Sequence, residues 1–310
     1  MSAENGSAVG TPAGSIYDLG YRHYEGRRYG RLYATWSLYV ESLRGIWGFG
    51  RPATAKAAPF ILLGLYSFFA VMQLAFSSFI SQAIASGEDV GELFAYDTYF
   101  SQWFLFVLMF CIAQAPELVC RDQRYSVLPL YFTRSLHRVD YVLAKLAALA
   151  SALFVLLMVP MIALFVGDVL MQKDTIKAIG DELPKALPVL PACLLTAASL
   201  ATTSLAIASF SPRRAYAAIS LLAYVLIYEA VAGIVWGVGN NAGWGWADKP
   251  QLFAPLTSLM GATYWFFGKV PNPDYGFPTT LGSEAYVLSA LALLVGFGSV
   301  LLFRYRRLAA

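Results

Sequence analysis

Six long apolar runs constrain the fold of this 310-residue chain more than any other feature. A helix of about 20 apolar residues spans the roughly 30 Å hydrocarbon layer of a bilayer. The runs cover residues 58–80, 99–119, 142–167, 188–210, 215–237 and 284–303. With 58% hydrophobic and only 13% charged residues, the chain also differs in composition from a typical water-soluble domain. We therefore predict an all-α, polytopic membrane protein with six transmembrane helices.

The basic residues between these runs are divided very unequally, and the division predicts a topology. If the gaps alternate between the two sides of the membrane, all but five of the 22 Lys and Arg residues share one side with the N-terminus. The five on the other side are Lys173, Lys177, Lys185, Lys249 and Lys269. Because loops rich in Lys and Arg stay in the cytoplasm, both termini are expected to be cytoplasmic. The expected location is the inner or plasma membrane.

Several classes of function are disfavoured by what the sequence lacks. The net charge of +3 does not indicate a nucleic-acid partner, because the cations lie where topology requires them and would meet membrane lipid. The two histidines, His23 and His137, both lie outside the spans, which disfavours an intramembrane zinc or serine protease. The sequence shows neither a Cys/His metal-binding spacing nor a phosphate-binding loop. We expect no catalytic residue, metal or cofactor on this chain.

The region before the first span divides into two parts. Residues 1–15 are small and polar, which predicts a disordered tail. Residues 16–56 are expected to be a cytoplasmic segment in which apolar residues recur at three- and four-residue spacing. These are Leu32, Trp36, Tyr39, Leu43 and Ile46. The spacing predicts an amphipathic helix in the cytoplasmic membrane interface, although a solvated, poorly ordered tail is the alternative. The transmembrane domain then covers residues 57–310.

The gap before the last span contains a second apolar stretch, from Leu252 to Phe267, that is too short to span. Prolines bound it on both sides. A stretch of this length at membrane depth is typical of an interfacial or re-entrant segment. We predict such a segment over residues 250–271, on the side opposite the termini.

One full charge, Glu229, lies near the middle of the fifth run. A carboxylate at that depth costs about 2.5–3.5 kcal/mol on insertion scales, so it should face the helix bundle or a cavity. It could contact a substrate or couple protons, or it could form a structural hydrogen bond to a neighbouring helix, near Tyr228 or Tyr66. Gln73 and Gln114 raise the same question in a weaker form.

The most informative loop, residues 117–141, follows the second run on the predicted cytoplasmic side. Glu117 ends that helix, mixed charges follow, and a short apolar patch comes next. The patch consists of Val127, Leu128, Leu130, Tyr131 and Phe132. Exposed apolar groups with a rim of charges are typical of a docking surface. The alternative is that these residues pack beneath the chain's own helix ends.

This loop resembles the one between the second and third helices of type-2 ATP-binding-cassette (ABC) exporter permeases. In that family an acid near the inner end of the second helix precedes a short coupling helix. A run like Leu-x-Leu-x-x-x-Arg-Pro-Leu-Ser-Arg-x-x-Tyr-x-x-x-Lys then begins the third helix. The matching stretch here consists of Leu128, Leu130, Thr133, Arg134, Leu136, Arg138, Asp140, Tyr141 and Lys145. Ser135 and His137 replace the usual proline and serine, and Pro129 interrupts the patch. The layout of an interfacial helix, six spans and an apolar excursion before the last span also resembles this family.

The resemblance implies a permease subunit that works as a dimer with an identical or related second permease. It would bind two copies of a separate ABC ATPase subunit, and that partner would hold ATP and Mg. The implied contacts to the ATPase are a charged rim of Glu117, Arg121, Asp122, Arg124, Arg134, Arg138 and Asp140 around the apolar Val127, Leu128, Leu130 and Tyr131. The expected function is ATP-driven export of an amphipathic or lipophilic substrate. An ion- or proton-coupled secondary transporter and a non-transporting membrane scaffold are the alternatives.

Overall fold

The structure, a computed structural model, describes residue 26 and residues 29–83, 95–133, 136–172, 174–270, 277–278 and 281–307. The predicted tail, residues 1–15, lies outside this part of the chain. Throughout the described residues the regular structure is helical, without strands. The α-helices are α1 (Arg31–Ile46), α2 (Ala53–Ala83), α3 (Tyr96–Gln102), α4 (Phe104–Arg124), α5 (Leu128–Phe132), α6 (Arg138–Met171), α7 (Thr175–Ala186), α8 (Val189–Ala208), α9 (Arg214–Asn241), α10 (Pro255–Phe266) and α11 (Ser283–Arg307).

Six helical stretches of the described chain are long and apolar enough to cross a membrane. They are α2, α4, α6, α8 with the preceding α7, α9 and α11. The prediction of an all-α, multi-pass membrane protein is therefore confirmed. Most of these helices extend past the predicted runs, because a helix continues through polar residues once it leaves the hydrocarbon layer. The second run is the exception, since a break at Trp103 separates α3 from α4 within it.

The centre of the bundle is formed by α6 and α8. Leu149, Leu153 and Leu156 of α6 are fully buried. The helix that faces α6, α8, is rich in alanine, serine and threonine. Such small residues allow helix backbones to approach closely inside a membrane. By contrast, α2, α9 and α11 expose most of their apolar surface. They form the periphery of the described chain.

A helix, α1, covers the residues with the predicted apolar spacing and ends at the last of them, Ile46. Leu38, Ser42 and Ile46 are buried against the bundle, mainly against α6, while Leu32 and Trp36 are exposed. The position of α1 in a membrane interface stays a prediction.

The described chain begins and ends at the same end of the bundle. Arg31 of α1 contacts Asp140 at the start of α6, and the guanidinium of Arg138 donates a hydrogen bond to the backbone carbonyl of Arg306 in α11 (2.8 Å). The end where α4 and α11 finish and α6 and α9 begin is called the basic end below. The other end, which carries α3, α7 and α10, is called the distal end.

Candidate functional site

The loop from α4 to α6 at the basic end contains a short, well-defined helix, α5. The chain leaves α4 through Ser126, which has a left-handed backbone conformation (φ 51°) that interrupts the helical path. Pro129 lies in the first turn of α5, where its missing N–H costs no helical hydrogen bond. The proline that departs from the family pattern is therefore compatible with a helix start.

One side of α5 is anchored and the other faces outward. Leu128 is only 9% exposed, and the rings of Tyr131 and Phe132 lie against Tyr141 of α6, with centroids 5.8 and 6.1 Å apart. Burial, together with nearby carboxylates, raises the pKa of the Tyr131 phenol. Leu130, in contrast, is 67% exposed. The predicted apolar patch is thus divided between an internal anchor and one outward-facing leucine.

Asp122, a predicted rim residue, is engaged within the protein. Its carboxylate accepts a hydrogen bond from the Tyr141 hydroxyl (2.7 Å) and lies 3.0 Å from the Lys145 ammonium. Both partners belong to α6. This acid therefore joins α4 to α6.

Asp140 is engaged in a similar way. Its carboxylate accepts two hydrogen bonds from the Arg31 guanidinium (2.6 and 2.7 Å) and a third from the backbone N–H of His137 (3.1 Å). The same side chain thus caps the N-terminus of α6 and holds α1 against it. The hydrogen bond to Asp140 raises the pKa of the Arg31 guanidinium.

Glu117 lies at the centre of a cluster of arginines. Its side chain is only 10% exposed, and its carboxylate oxygens lie 2.5 Å from Arg51, 3.4 Å from Arg121 and 2.6 Å from Arg214. Arg51 precedes α2, Arg121 belongs to α4 and Arg214 opens α9. One buried carboxylate therefore joins three spans at the basic end.

The remaining predicted rim residues are basic. Arg124 is exposed, with its guanidinium 5.9 Å from the centre of the Tyr125 ring. Arg134 lies outside the described residues, and Val127 of the apolar patch is partly buried. The three acids of the predicted rim therefore point into the protein, whereas Arg121 and Arg124 face outward.

Glu229 contacts the first turn of α10 rather than Tyr228 or Tyr66. One carboxylate oxygen accepts hydrogen bonds from the backbone N–H groups of Leu256 (2.6 Å) and Thr257 (3.2 Å). The other accepts a hydrogen bond from the Thr257 hydroxyl (2.7 Å). Since α9 ends at Asn241, Glu229 lies about 18 Å before that end, so α10 begins beside the middle of a span.

The other predicted intramembrane polar residues lie elsewhere. Gln73 is partly buried in α2, and Gln114 is buried in α4.

The far end of α10 carries a contact that the sequence did not suggest. There the Lys269 ammonium lies 2.9 Å from both carboxylate oxygens of Asp97, a buried residue of α3.

Among the described residues, no group of three or more His, Cys, Asp or Glu side chains could hold a metal ion. Comparison of the chain with protein-family models, with curated proteins and with solved structures gives no match.

Proposed function

We propose that the chain is the permease subunit of an ABC exporter in the inner or plasma membrane, and that α5 is where a separate ATPase subunit docks. The observation that supports this most is the position of Leu130. It is an exposed apolar residue on a five-residue helix outside the six spans, and Leu128 and the neighbouring rings hold that helix in place. An apolar side chain presented in this way suits insertion into a partner's pocket.

The contacts of α5 suggest how a movement of the ATPase would reach the spans. Its aromatic residues lie on Tyr141 of α6, Asp122 joins α4 to α6, and Asp140 joins α6 to α1. A force on α5 would therefore move these helices together as one body, as rigid-body switching requires. In this proposal the partner holds ATP and Mg, and two ATPase copies act on a dimer with an identical or related permease. The substrate would be an amphipathic or lipophilic molecule, moved outward.

Replacing Leu130 with Asp tests the docking surface. A charge in an apolar pocket should weaken ATPase binding by about 30-fold or more, the loss typical of a central interface residue. The chain itself should stay folded because Leu130 is exposed. Leu128 is unsuitable for this test, since it is buried and its replacement by Asp would disturb the protein itself.

The measurement is purification of the chain from its native host in mild detergent, followed by identification of associated proteins and an assay of ATP hydrolysis. The control is Leu32→Asp, which alters an exposed leucine of α1 at the same end of the bundle. A wild-type chain that purifies without an ATPase would refute the proposal. Equal ATPase retention by L130D and L32D would refute the assignment of α5.

The alternative of ion- or proton-coupled transport gains no support from Glu229, because both of its carboxylate oxygens accept hydrogen bonds from α10. Transport into lipid vesicles that depends on nucleotide would separate the exporter from a non-transporting scaffold.

A further inference from the structure

The cluster around Glu117 contains more positive charge than its single carboxylate can neutralise. Three guanidinium groups, from Arg51, Arg121 and Arg214, meet this one acid. Each guanidinium carries five N–H donors, whereas a carboxylate has only two acceptor oxygens. The ion pair of each arginine with Glu117 uses one terminal nitrogen, so this carboxylate leaves most of the donors unused. The side chains of Arg121 and Arg214 are about half exposed, at 48% and 59%.

The cluster lies where the hydrocarbon layer would begin. Arg51 lies two residues before α2, and Arg214 is the first residue of α9. Both α2 and α9 expose most of their apolar surface. A short distance further along α2, Phe60 and Ile61 are exposed, and Ile219 is exposed on α9. Ile219 lies about 8 Å along α9 from Arg214, and Phe60 and Ile61 lie about 10–12 Å along α2 from its first residue, given a rise of about 1.5 Å per residue. Cations followed by exposed apolar surface match the order of headgroup and acyl chains in a phospholipid.

We propose that Arg51, Arg121 and Arg214 bind the phosphate of an anionic phospholipid. The acyl chains of that lipid lie on the exposed apolar residues of α2 and α9. Guanidinium groups suit this role because their planar donors can bind phosphate oxygens in pairs, and basic pockets between spans bind anionic headgroups. The exposed apolar surface beside the cluster favours a lipid over a soluble phosphate. This inference concerns the chain and its lipid alone and does not depend on an ATPase partner.

The first test removes two arginines and leaves the third paired with Glu117. Purified R121Q/R214Q is compared with wild type for retention of dioleoyl phosphatidylglycerol, counted by native mass spectrometry after release from detergent micelles. We expect about a 30-fold loss of retention, because each arginine near an anionic lipid contributes roughly fivefold. Retention of dioleoyl phosphatidylcholine, which carries no net charge, should be the same in both proteins.

The matched control is R124Q/R213Q. It removes the same charge from residues one and three positions away in the sequence, whose guanidinium groups lie over the rings of Tyr125 and Tyr216 instead of beside Glu117. An equal loss in both double variants would overturn the proposal, since it would reflect only the general charge of this surface. Displacement of the lipid by millimolar inorganic phosphate would also overturn it, because the cluster would then be a site for a soluble anion.

A second variant makes the opposite prediction and does not depend on the first. Glu117→Gln removes the competing carboxylate, so retention of phosphatidylglycerol should rise by about fivefold while that of phosphatidylcholine stays constant. If Glu117 and its arginines only join the helices, this variant should bind no more lipid than wild type. Unchanged or reduced retention would therefore contradict the proposal.

Discussion

At the scale of single residues, the contact between Glu229 and α10 has the clearest physical meaning. The first N–H groups of a helix have no partner within that helix, and its N-terminus carries partial positive charge. A carboxylate placed there satisfies these donors and is itself stabilised, which offsets the cost of burying it beside apolar residues. Glu229 therefore positions the start of α10 against α9.

We predict that Glu229→Ala destabilises the protein by about 1–3 kcal/mol, because two backbone N–H groups lose their acceptor. Glu229→Gln should cost less, since one oxygen remains. The free energy of unfolding in detergent is the measurement, combined with a double-mutant cycle using Thr257→Val. The two sites should couple by about 0.5 kcal/mol or more. Strictly additive effects would show that the contact with Thr257 contributes nothing to stability.

Single polar residues were easy to find in the sequence, but their partners were not. Glu229 stood out because it interrupts an apolar run, yet its partner lies 27 residues later in a segment that folds back along α9. Asp140 was predicted to lie on a docking rim, and its partner Arg31 is 109 residues away. Local spacing reports whether a charge needs a partner. It contains no information about which distant residue supplies one.

At the scale of whole elements, α10 is fixed along its length as well as at its start. Gly261 packs directly on Tyr286 of α11, where an added Cβ would lie 2.4–2.7 Å from the ring atoms. Tyr286 is fully buried and is packed against Phe277, so it has little space to move aside. The close approach of α10 and α11 therefore depends on glycine at this position.

Gly261→Ala should destabilise the protein by about 1–3 kcal/mol through overpacking. Gly237 in α9 provides a matched control, because an added Cβ there meets nothing within 4 Å. Gly237→Ala should be neutral or stabilising by up to about 1 kcal/mol, since alanine favours a helix. Thermal unfolding of both variants in detergent checks the pair. Similar melting temperatures would mean that α10 does not pack on α11 in this way.

The two partners of the ion pair at the far end of α10 should differ in how much stability is lost when each is replaced. Asp97 is only 5% exposed, whereas Lys269 is 38% exposed. Lys269→Met would leave a buried carboxylate without its cation and should cost part of the about 3–5 kcal/mol lost when a fully buried pair is broken. Asp97→Asn leaves a lysine that can reach water, so its cost should be smaller. Comparison of the two unfolding free energies checks this order, and the reverse order would contradict it.

The elements themselves were partly predictable. Apolar length was sufficient to find the six spans, and the prolines around residues 250–271 indicated a separate segment there. The break at Trp103 was missed, because residues on both sides of it are apolar and hydrophobicity alone does not distinguish a continuous helix from an interrupted one. The turn into α5 was also missed, since it depends on an unusual backbone conformation at Ser126.

At the scale of the whole molecule, the two ends of the bundle differ in charge and in the elements they carry. The basic end holds α5 and the arginine cluster, which are the proposed sites for a protein partner and for a lipid. The distal end holds α7, α10 and the ion pair of Lys269 with Asp97. The docking proposal requires the basic end to face the cytoplasm, as the distribution of Lys and Arg predicts. A measurement of the orientation of the molecule therefore tests it directly.

Labelling of single cysteines with a membrane-impermeant maleimide measures this orientation. The three native cysteines, Cys111, Cys120 and Cys193, are free and buried, so the wild-type chain should remain unlabelled in intact cells. Lys177→Cys, exposed on α7, should be labelled from outside, because α7 lies at the distal end. Arg307→Cys, at the end of α11, should react only after the membrane is opened. The reverse pattern would place the arginine cluster and α5 outside the cell, where no ATP-hydrolysing subunit could reach them. Labelling of both positions in intact cells would instead refute a topology in which α7 and the end of α11 lie on opposite sides.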